Sequence, residues 1–89
     1  MEAVVQLGIT VLTPDARDVL HAQDIRLALR RHALGDWGEL DDSDRKESEE
    51  GLKLGLRIVS LFRDRWGQKF YVITEADRSV TRVVLPSGY

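Results

Sequence analysis

The residues of this chain best suited to chemistry are its clustered carboxylates. Residues 36–50 hold eight acidic residues and only two basic ones. A calcium loop is the first chemistry to test, because it needs alternating oxygen ligands, a glycine at its sixth position and a glutamate at its twelfth. Counting from Asp42, only Asp44 fits, since Lys46 falls on a ligand position and Glu47 on the glycine position. The cluster therefore predicts a helix start, where acids complement the helix dipole, and not a calcium site.

Histidine and serine residues show no catalytic or metal-binding arrangement. His21 and His32 are eleven residues apart, a spacing that matches no zinc motif. None of the serines lies in a Gly-x-Ser-x-Gly sequence, and no glycine-rich phosphate loop is present. His32 falls on an apolar helix stripe, where we expect a hydrogen-bonded core residue. We therefore predict a protein without enzymatic activity, metal or other cofactor.

The second half of the chain has the opposite charge. Residues 51–89 hold seven basic residues against three acidic ones. Together with Trp66, Phe70 and Tyr71 they would give a basic sheet with stacking rings, a surface typical of single-stranded nucleic-acid binding. No RNP signature accompanies them, so nucleic-acid binding is the alternative function. The residues concerned are Arg57, Arg63, Arg65, Lys69, Arg78 and Arg82.

Length and composition indicate one small globular domain, residues 1–89. The chain has no cysteine, which excludes disulfides and suits a reducing compartment. A core of this size leaves a thin margin of stability, so either a monomer or a homodimer is expected. No apolar run is long enough to span a bilayer, and the first residues lack the basic stretch of a signal peptide. We expect a cytoplasmic protein.

The elements that must position these residues begin with a strand and two helices. Residues 4–12 alternate with a period of two, which predicts a half-buried strand. Thr13 as N-cap and Pro14 at the first helical position start a short helix that ends near residue 21 or 22. Asp24 is expected to cap the next helix, which ends at Gly35. The apolar stripe of that helix consists of Ile25, Ala28, Leu29 and His32.

The remaining elements are a third helix and three strands. The third helix starts at residues 41–44 and runs to about residue 54, where Gly55 ends it. Residues 56–63, 69–74 and 79–85 then read as an antiparallel meander with a turn at residues 66–68. We predict an α+β fold with an N-terminal strand, two or three helices and a three-stranded antiparallel meander. The helices would pack on one face of the sheet, and the N-terminal strand would join the same sheet.

Trp37 lies between two glycines in the loop that precedes the acidic helix. A tryptophan in such a loop commonly folds back onto the core, with its indole N–H donating to a carbonyl. The alternative is an exposed anchor for a protein partner, because tryptophan is favoured at binding hot spots. Sequence alone leaves both interpretations open.

Two segments resemble a family of small bacterial proteins found on plasmids, phages and genomic islands. They are residues 31–44, RHALGDWGELDDSD, and residues 72–86, VITEADRSVTRVVLP. The family is uncharacterised, so the resemblance implies no catalytic residue. Some of its members are labelled as modification subunits of type I restriction systems. This chain lacks the cofactor-binding glycine motif and the NPPY-like tetrapeptide that such a subunit needs.

The resemblance implies a mobile-element setting, and the acidic segment suggests how the protein acts there. We predict a small protein-binding module that inhibits a bacterial defence complex, as anti-CRISPR or anti-restriction proteins do. Its acidic surface would compete for a basic nucleic-acid channel through charge complementarity. The partner would be a CRISPR or restriction effector subunit. The residues expected to bind it are Asp36, Trp37, Glu39, Asp41, Asp42, Asp44, Glu47 and Glu50.

Overall fold

The computed structural model describes residues 3–89, and their strands and helices follow the order expected from the sequence. The strands are β1 (Ile9–Leu12), β2 (Ile58–Arg63), β3 (Lys69–Thr74) and β4 (Val80–Val84), and the helices are α1 (Pro14–Val19), α2 (Ala22–Ala33) and α3 (Asp42–Leu54). A short 3-10 helix, Pro86–Gly88, follows β4. The α+β prediction is confirmed.

The strands form one mixed sheet in the order β1-β4-β3-β2. β2, β3 and β4 make the predicted antiparallel meander, in which Val59 pairs with Ile73 and Ile73 with Arg82. β1 joins the same sheet, as predicted, by lying parallel to β4 with Ile9 beside Val80. Parallel neighbours need a long crossover connection. Here that connection contains all three helices and both of the other strands.

The first strand is shorter than the predicted range of residues 4–12. It begins only at Ile9, because Gly8 has a φ of 65° and breaks the extended backbone. A side chain at Gly8 would collide with the carbonyl oxygens of Arg78 and Ser79. The residues before it pack against the end of α2, where the amides of Val4 and Val5 both donate to the Ala33 carbonyl.

The start of α2 differs from the prediction that Asp24 is its N-cap. His21 is the N-cap, and its ring Nδ1 accepts a hydrogen bond from the Gln23 amide at 3.1 Å. Asp24 instead accepts hydrogen bonds from the backbone amide and the guanidinium of Arg65, at 2.8 Å and 3.0 Å. These bonds lower the pKa of Asp24 to about 2. The end of the helix is as predicted, with Gly35 at a φ of 85°.

Helices α1 and α2 cover one face of the sheet, which is called the helix face below. Side chains alternate along a strand, so Phe62, Phe70, Val72 and Val83 share this face, in line with their pairing register. They pack with Ala16 and Leu20 from the segment containing α1 and with the α2 stripe. The stripe is buried at Ile25, Ala28 and His32 and half-buried at Leu29, as the sequence predicts.

Helix α3 departs from the prediction that every helix lies on one face, because it packs along the outer edge of β2. The hydroxyl of Ser48 donates to the Val59 carbonyl at 2.7 Å and accepts from the Val59 amide at 3.2 Å. On the face opposite α1 and α2, called the open face below, Ile73 and Val84 are nonetheless buried. The C-terminal residues fold back over that face, and the Tyr89 ring stacks on Tyr71 at 4.3 Å.

Candidate functional site

The first nine residues of α3 include four carboxylates that lie outside every hydrogen bond and ion pair found within residues 3–89. All four side chains are exposed to solvent. The helix that carries them begins at its N-cap Asp41, whose carboxylate accepts from the Asp44 amide at 2.8 Å, as the sequence predicts. The four residues are Asp42, Asp44, Glu47 and Glu50.

The other acids of the predicted partner-binding set have structural partners. Asp36 accepts from the Arg31 guanidinium at 2.7 Å and from the Gly38 amide at 2.9 Å. The hydrogen bond from Arg31 is the main reason that the pKa of Asp36 lies below its ordinary value. Glu39 forms an ion pair with Arg63 at 2.9 Å. These contacts shape the loop before α3, so these acids are less available to a partner than the four on the helix.

Trp37 is buried, with 2% of its surface exposed. The core-plug interpretation is confirmed, and the alternative interpretation of Trp37 as an exposed anchor is wrong. Its indole N–H donates to a Glu49 carboxylate oxygen at 2.6 Å, rather than to the carbonyl that was expected. The ring also meets His32 edge to face at 5.8 Å. Trp37 therefore fixes α3 against the core and positions the acidic surface indirectly.

The far end of α3 is held by Arg78, which the sequence assigned to nucleic-acid binding. Its guanidinium donates to the carbonyl of Gly51 at 3.1 Å and to that of Leu56 at 2.7 Å. Arg78 has a left-handed backbone with a φ of 62°, a conformation that is strained for residues other than glycine. The hydrogen bonds of its side chain offset part of that strain. With Ser48 and Trp37, Arg78 holds the carboxylates of α3 on a rigid element.

The acidic surface is not uniform. Residues 42, 46, 50 and 53 follow one another along the solvent side of the helix, so Lys46 and Lys53 interrupt the acids there. Asp44 and Glu47 instead line a cleft of about 110 Å³ between α3 and the open face. Its other wall includes Arg57, Tyr71 and Tyr89.

Only part of the predicted basic surface comes together. Arg65 is engaged by Asp24, and Phe70 lies in the core beneath the helices. Trp66 projects from the turn between β2 and β3 and meets His21 edge to face at 5.4 Å. Strand alternation places the remaining basic residues on or beside the open face. They are Arg57, Arg63, Lys69 and Arg82.

These four residues lie on the same side of the sheet as the Tyr71–Tyr89 stack, but two of them already have acidic partners. Arg82 pairs with Glu75 at 2.8 Å and Arg63 with Glu39. The Arg57 guanidinium lies 5.8 Å from the centre of the Tyr89 ring. The open face thus combines positive charge with a stacked aromatic pair that Tyr89 partly covers.

A buried polar network lies beneath the helices. The Thr81 hydroxyl donates to the Leu7 carbonyl at 2.7 Å, so it accepts from the Thr74 hydroxyl at 2.7 Å. The Thr74 oxygen must then accept from His32 Nε2–H at 2.9 Å. The chain of bonds therefore places a proton on Nε2. In the neutral ring, Nδ1 then accepts from the Ser60 hydroxyl.

The environment of His32 favours this neutral form. Burial is the main cause that lowers its pKa from 6.5 to about 4, and the positive charge of Arg78 adds to the shift. His32 and Ser60 are both fully buried, so no substrate can reach this pair. The pair serves as a structural link between α2 and β2, while the His32–Thr74 hydrogen bond joins residues 31–44 to residues 72–86.

Comparisons with protein-family models, with curated proteins and with solved structures find no match to the chain. Within the part of the chain that the structure describes, no helix is long and apolar enough to cross a membrane. The same residues contain no group of three or more histidine and carboxylate side chains that could hold a metal ion.

Proposed function

We propose that this protein is a non-enzymatic protein-binding module that docks through the exposed carboxylates of α3. The observation that carries the proposal is the unpaired state, within residues 3–89, of Asp42, Asp44, Glu47 and Glu50. Arg31, Arg63 and Arg65 each form an ion pair with an acid outside α3. The cations beside the four carboxylates are Arg57, across the cleft, and Arg45, Lys46 and Lys53 on the helix itself. Residues 41–53 still hold six acidic residues against three basic ones, so α3 presents a net negative charge.

The partner that fits this surface is a protein with a basic groove. Complementary charge steers association and suppresses wrong partners. A helix that is already anchored at Trp37, Ser48 and Arg78 loses little conformational freedom on binding, which favours affinity. Because the chain resembles mobile-element proteins, we propose that the basic groove is the nucleic-acid channel of a CRISPR or restriction effector. By occupying it, the module would act as an inhibitor.

The proposal is tested by capture of purified CRISPR and restriction effectors on the immobilised protein after nuclease treatment. Glu47→Lys with Glu50→Lys leaves the first turn of α3 intact and should abolish capture. The matched control is Lys46→Glu with Lys53→Glu, two charge reversals on the same helix, which should preserve or strengthen capture. Equal capture by both variants, with unchanged melting temperatures, would reject docking through α3.

A second candidate function is binding of single-stranded nucleic acid by the open face. The observation that favours it is the convergence of Arg57 and Lys69 with the Tyr71–Tyr89 stack on that side of the sheet. Aromatic stacking with flanking positive charge is how many sheets bind single strands. A labelled oligonucleotide should then shift in a salt-dependent manner.

The same assay separates the two candidates. Arg57→Glu with Lys69→Glu should abolish the shift if the open face binds nucleic acid, whereas Arg17→Glu with Arg26→Glu, on α1 and α2, should reduce it little. A partner retained at high salt without nucleic acid supports protein docking instead. If both variants fail equally to shift the oligonucleotide, binding depends on the total positive charge of the protein. That result would contradict a specific role of the open face.

A further inference from the structure

The sheet has one outer edge that is open, and it belongs to β1. The amides of Ile9 and Thr13 donate inward to the carbonyls of Ser79 and Val83 in the β4 segment, at 2.9 Å and 3.1 Å. Backbone groups alternate in direction along a parallel strand, so those of Thr10 and Leu12 point away from the sheet. Within residues 3–89 no hydrogen bond reaches these outward amides and carbonyls.

The opposite edge of the sheet is closed by the protein itself. Ser48 occupies both backbone groups of Val59. The Leu61 amide donates to the Trp37 carbonyl at 3.1 Å, and the Leu61 carbonyl accepts from the Glu39 amide at 2.7 Å. The loop before α3 and the helix therefore leave β2 no room for another strand. Among residues 3–89, only β1 offers a row of backbone groups to a partner.

The open edge is short, at four residues, but it lacks the charged residues and prolines that normally discourage edge-to-edge pairing. Natural edge strands carry charged residues, prolines or bulges that discourage it. Residues 3–13 contain no charged residue and no proline. Two large apolar side chains of β1 are also exposed on the open-face side, Ile9 to 69% and Val11 to 43%. The outer edge of β1 is therefore apolar and uncharged, and its backbone groups are available for hydrogen bonding.

We propose that the occupant of this edge is a second copy of the same chain, paired through β1 in antiparallel orientation about a twofold axis. An uncharged strand meets its own copy without electrostatic repulsion. With Val11 opposite Val11 of the second copy, Thr10 and Leu12 of each copy exchange hydrogen bonds through all of their outward groups. Because the β2 edge is closed, pairing stops at two copies and builds no fibre.

This interface is separate from the docking surface proposed above. β1 and α3 border opposite edges of the sheet, so the dimer would carry its acidic helices at the two far ends. Dimerisation and partner capture can therefore be lost independently, and each experiment reports on its own proposal.

The solution mass of the protein tests the proposal. Sedimentation of the wild-type chain over a range of concentrations should give twice the 10.1 kDa of one chain. Thr10→Pro removes only an outward amide, and Val11→Lys places like charges on the twofold axis, so both variants should sediment as monomers. Leu27→Lys is the matched control, because Leu27 on α2 is also exposed (56%) but lies far from β1, and it should remain dimeric.

A cross-link tests the register. The chain has no cysteine, so Val11→Cys introduces a single thiol that should form an intermolecular disulfide on mild oxidation. Leu27→Cys under the same conditions should not. A wild-type chain that is monomeric at every concentration would overturn the proposal and leave the edge to a strand of another protein. A dimer that survives both Thr10→Pro and Val11→Lys would also overturn it.

Discussion

The ring of His32 lies 2.9 Å from the Thr74 hydroxyl, and this hydrogen bond ties α2 to an internal strand of the sheet. Donor and acceptor are both fully buried. A buried polar pair of this kind fixes one arrangement of helix on sheet, because any slip of the helix would leave the buried His32 ring without its hydrogen-bond partners. The stability of the fold should therefore depend on the charge state of one side chain.

Stability should fall as the pH drops from about 6.5 to about 4. The pKa of His32 is lowered to about 4 in the folded protein, so the unfolded chain binds a proton first and gains from it. The displacement from 6.5 corresponds to at most about 3 kcal/mol, lost progressively across that window. Urea unfolding at a series of pH values measures it. His32→Gln should be less stable at neutral pH but should show a flatter pH profile, and an equally steep profile would contradict this assignment.

Trp37→Ala should lower the free energy of unfolding by about 3–5 kcal/mol, because it empties a buried aromatic site. Trp37→Phe keeps most of the ring and loses only the hydrogen bond to Glu49, so its loss should be much smaller. Chemical denaturation compares the two variants. If Trp37→Ala melts like the wild type, the ring does not support the loop as described.

Gly51→Ala should destabilise α3 even though alanine is the better helix former. A methyl group there would lie 2.7 Å from the Arg57 carbonyl oxygen, so the helix must move away from the sheet. We expect a loss of about 1–3 kcal/mol, as for other overpacked sites. Gly55→Ala is the control, since nothing lies within 4 Å of the added carbon and only the left-handed φ of 70° opposes it. A more stable Gly51→Ala variant would show that α3 is not held tightly to β2.

Arg78→Ala should lower the free energy of unfolding by about 2 kcal/mol, because it removes charge-assisted hydrogen bonds to the end of α3. Arg78→Gly loses the same bonds but relieves the left-handed backbone, so it should be more stable than Arg78→Ala. Thermal melts of the pair separate the side chain from the backbone. An Arg78→Gly variant no more stable than Arg78→Ala would argue against backbone strain at this turn.

The elements that local signals specify were predictable, and the exceptions have local causes. Thr13, Asp41 and Gly55 mark helix ends where the structure has them. Periodicity alone places the start of the first strand at residue 4, because the alternation of side chains carries no information about the positive φ of Gly8. Asp24 is an ordinary capping residue by type, yet its carboxylate accepts a hydrogen bond from Arg65, which lies 41 residues further along the chain.

The candidate site is also predictable only in part, because some of its contacts join residues that are distant in sequence. The exposed acids of α3 follow from composition and helix spacing. The groups that hold them do not, because Ser48 and Arg78 act on backbone atoms brought close by the tertiary fold. The partners of His32 lie 28 and 42 residues further along the chain, which no local pattern reveals. Charge alone groups the six basic residues, and two of them, Arg65 and Arg78, are structural.

The parallel pairing of β1 with β4 also constrains when the protein can fold. The hydrogen bond between Thr81 and Leu7 joins residues 74 positions apart, so β1 has no strand to pair with until β4 has been synthesised. During translation the helices would emerge beside an incomplete sheet, with the buried ring of His32 still lacking Thr74. Contacts of such long range slow folding. A ribosome stalled before residue 80 should therefore display a protease-sensitive chain, and one that has released residue 84 a protected domain.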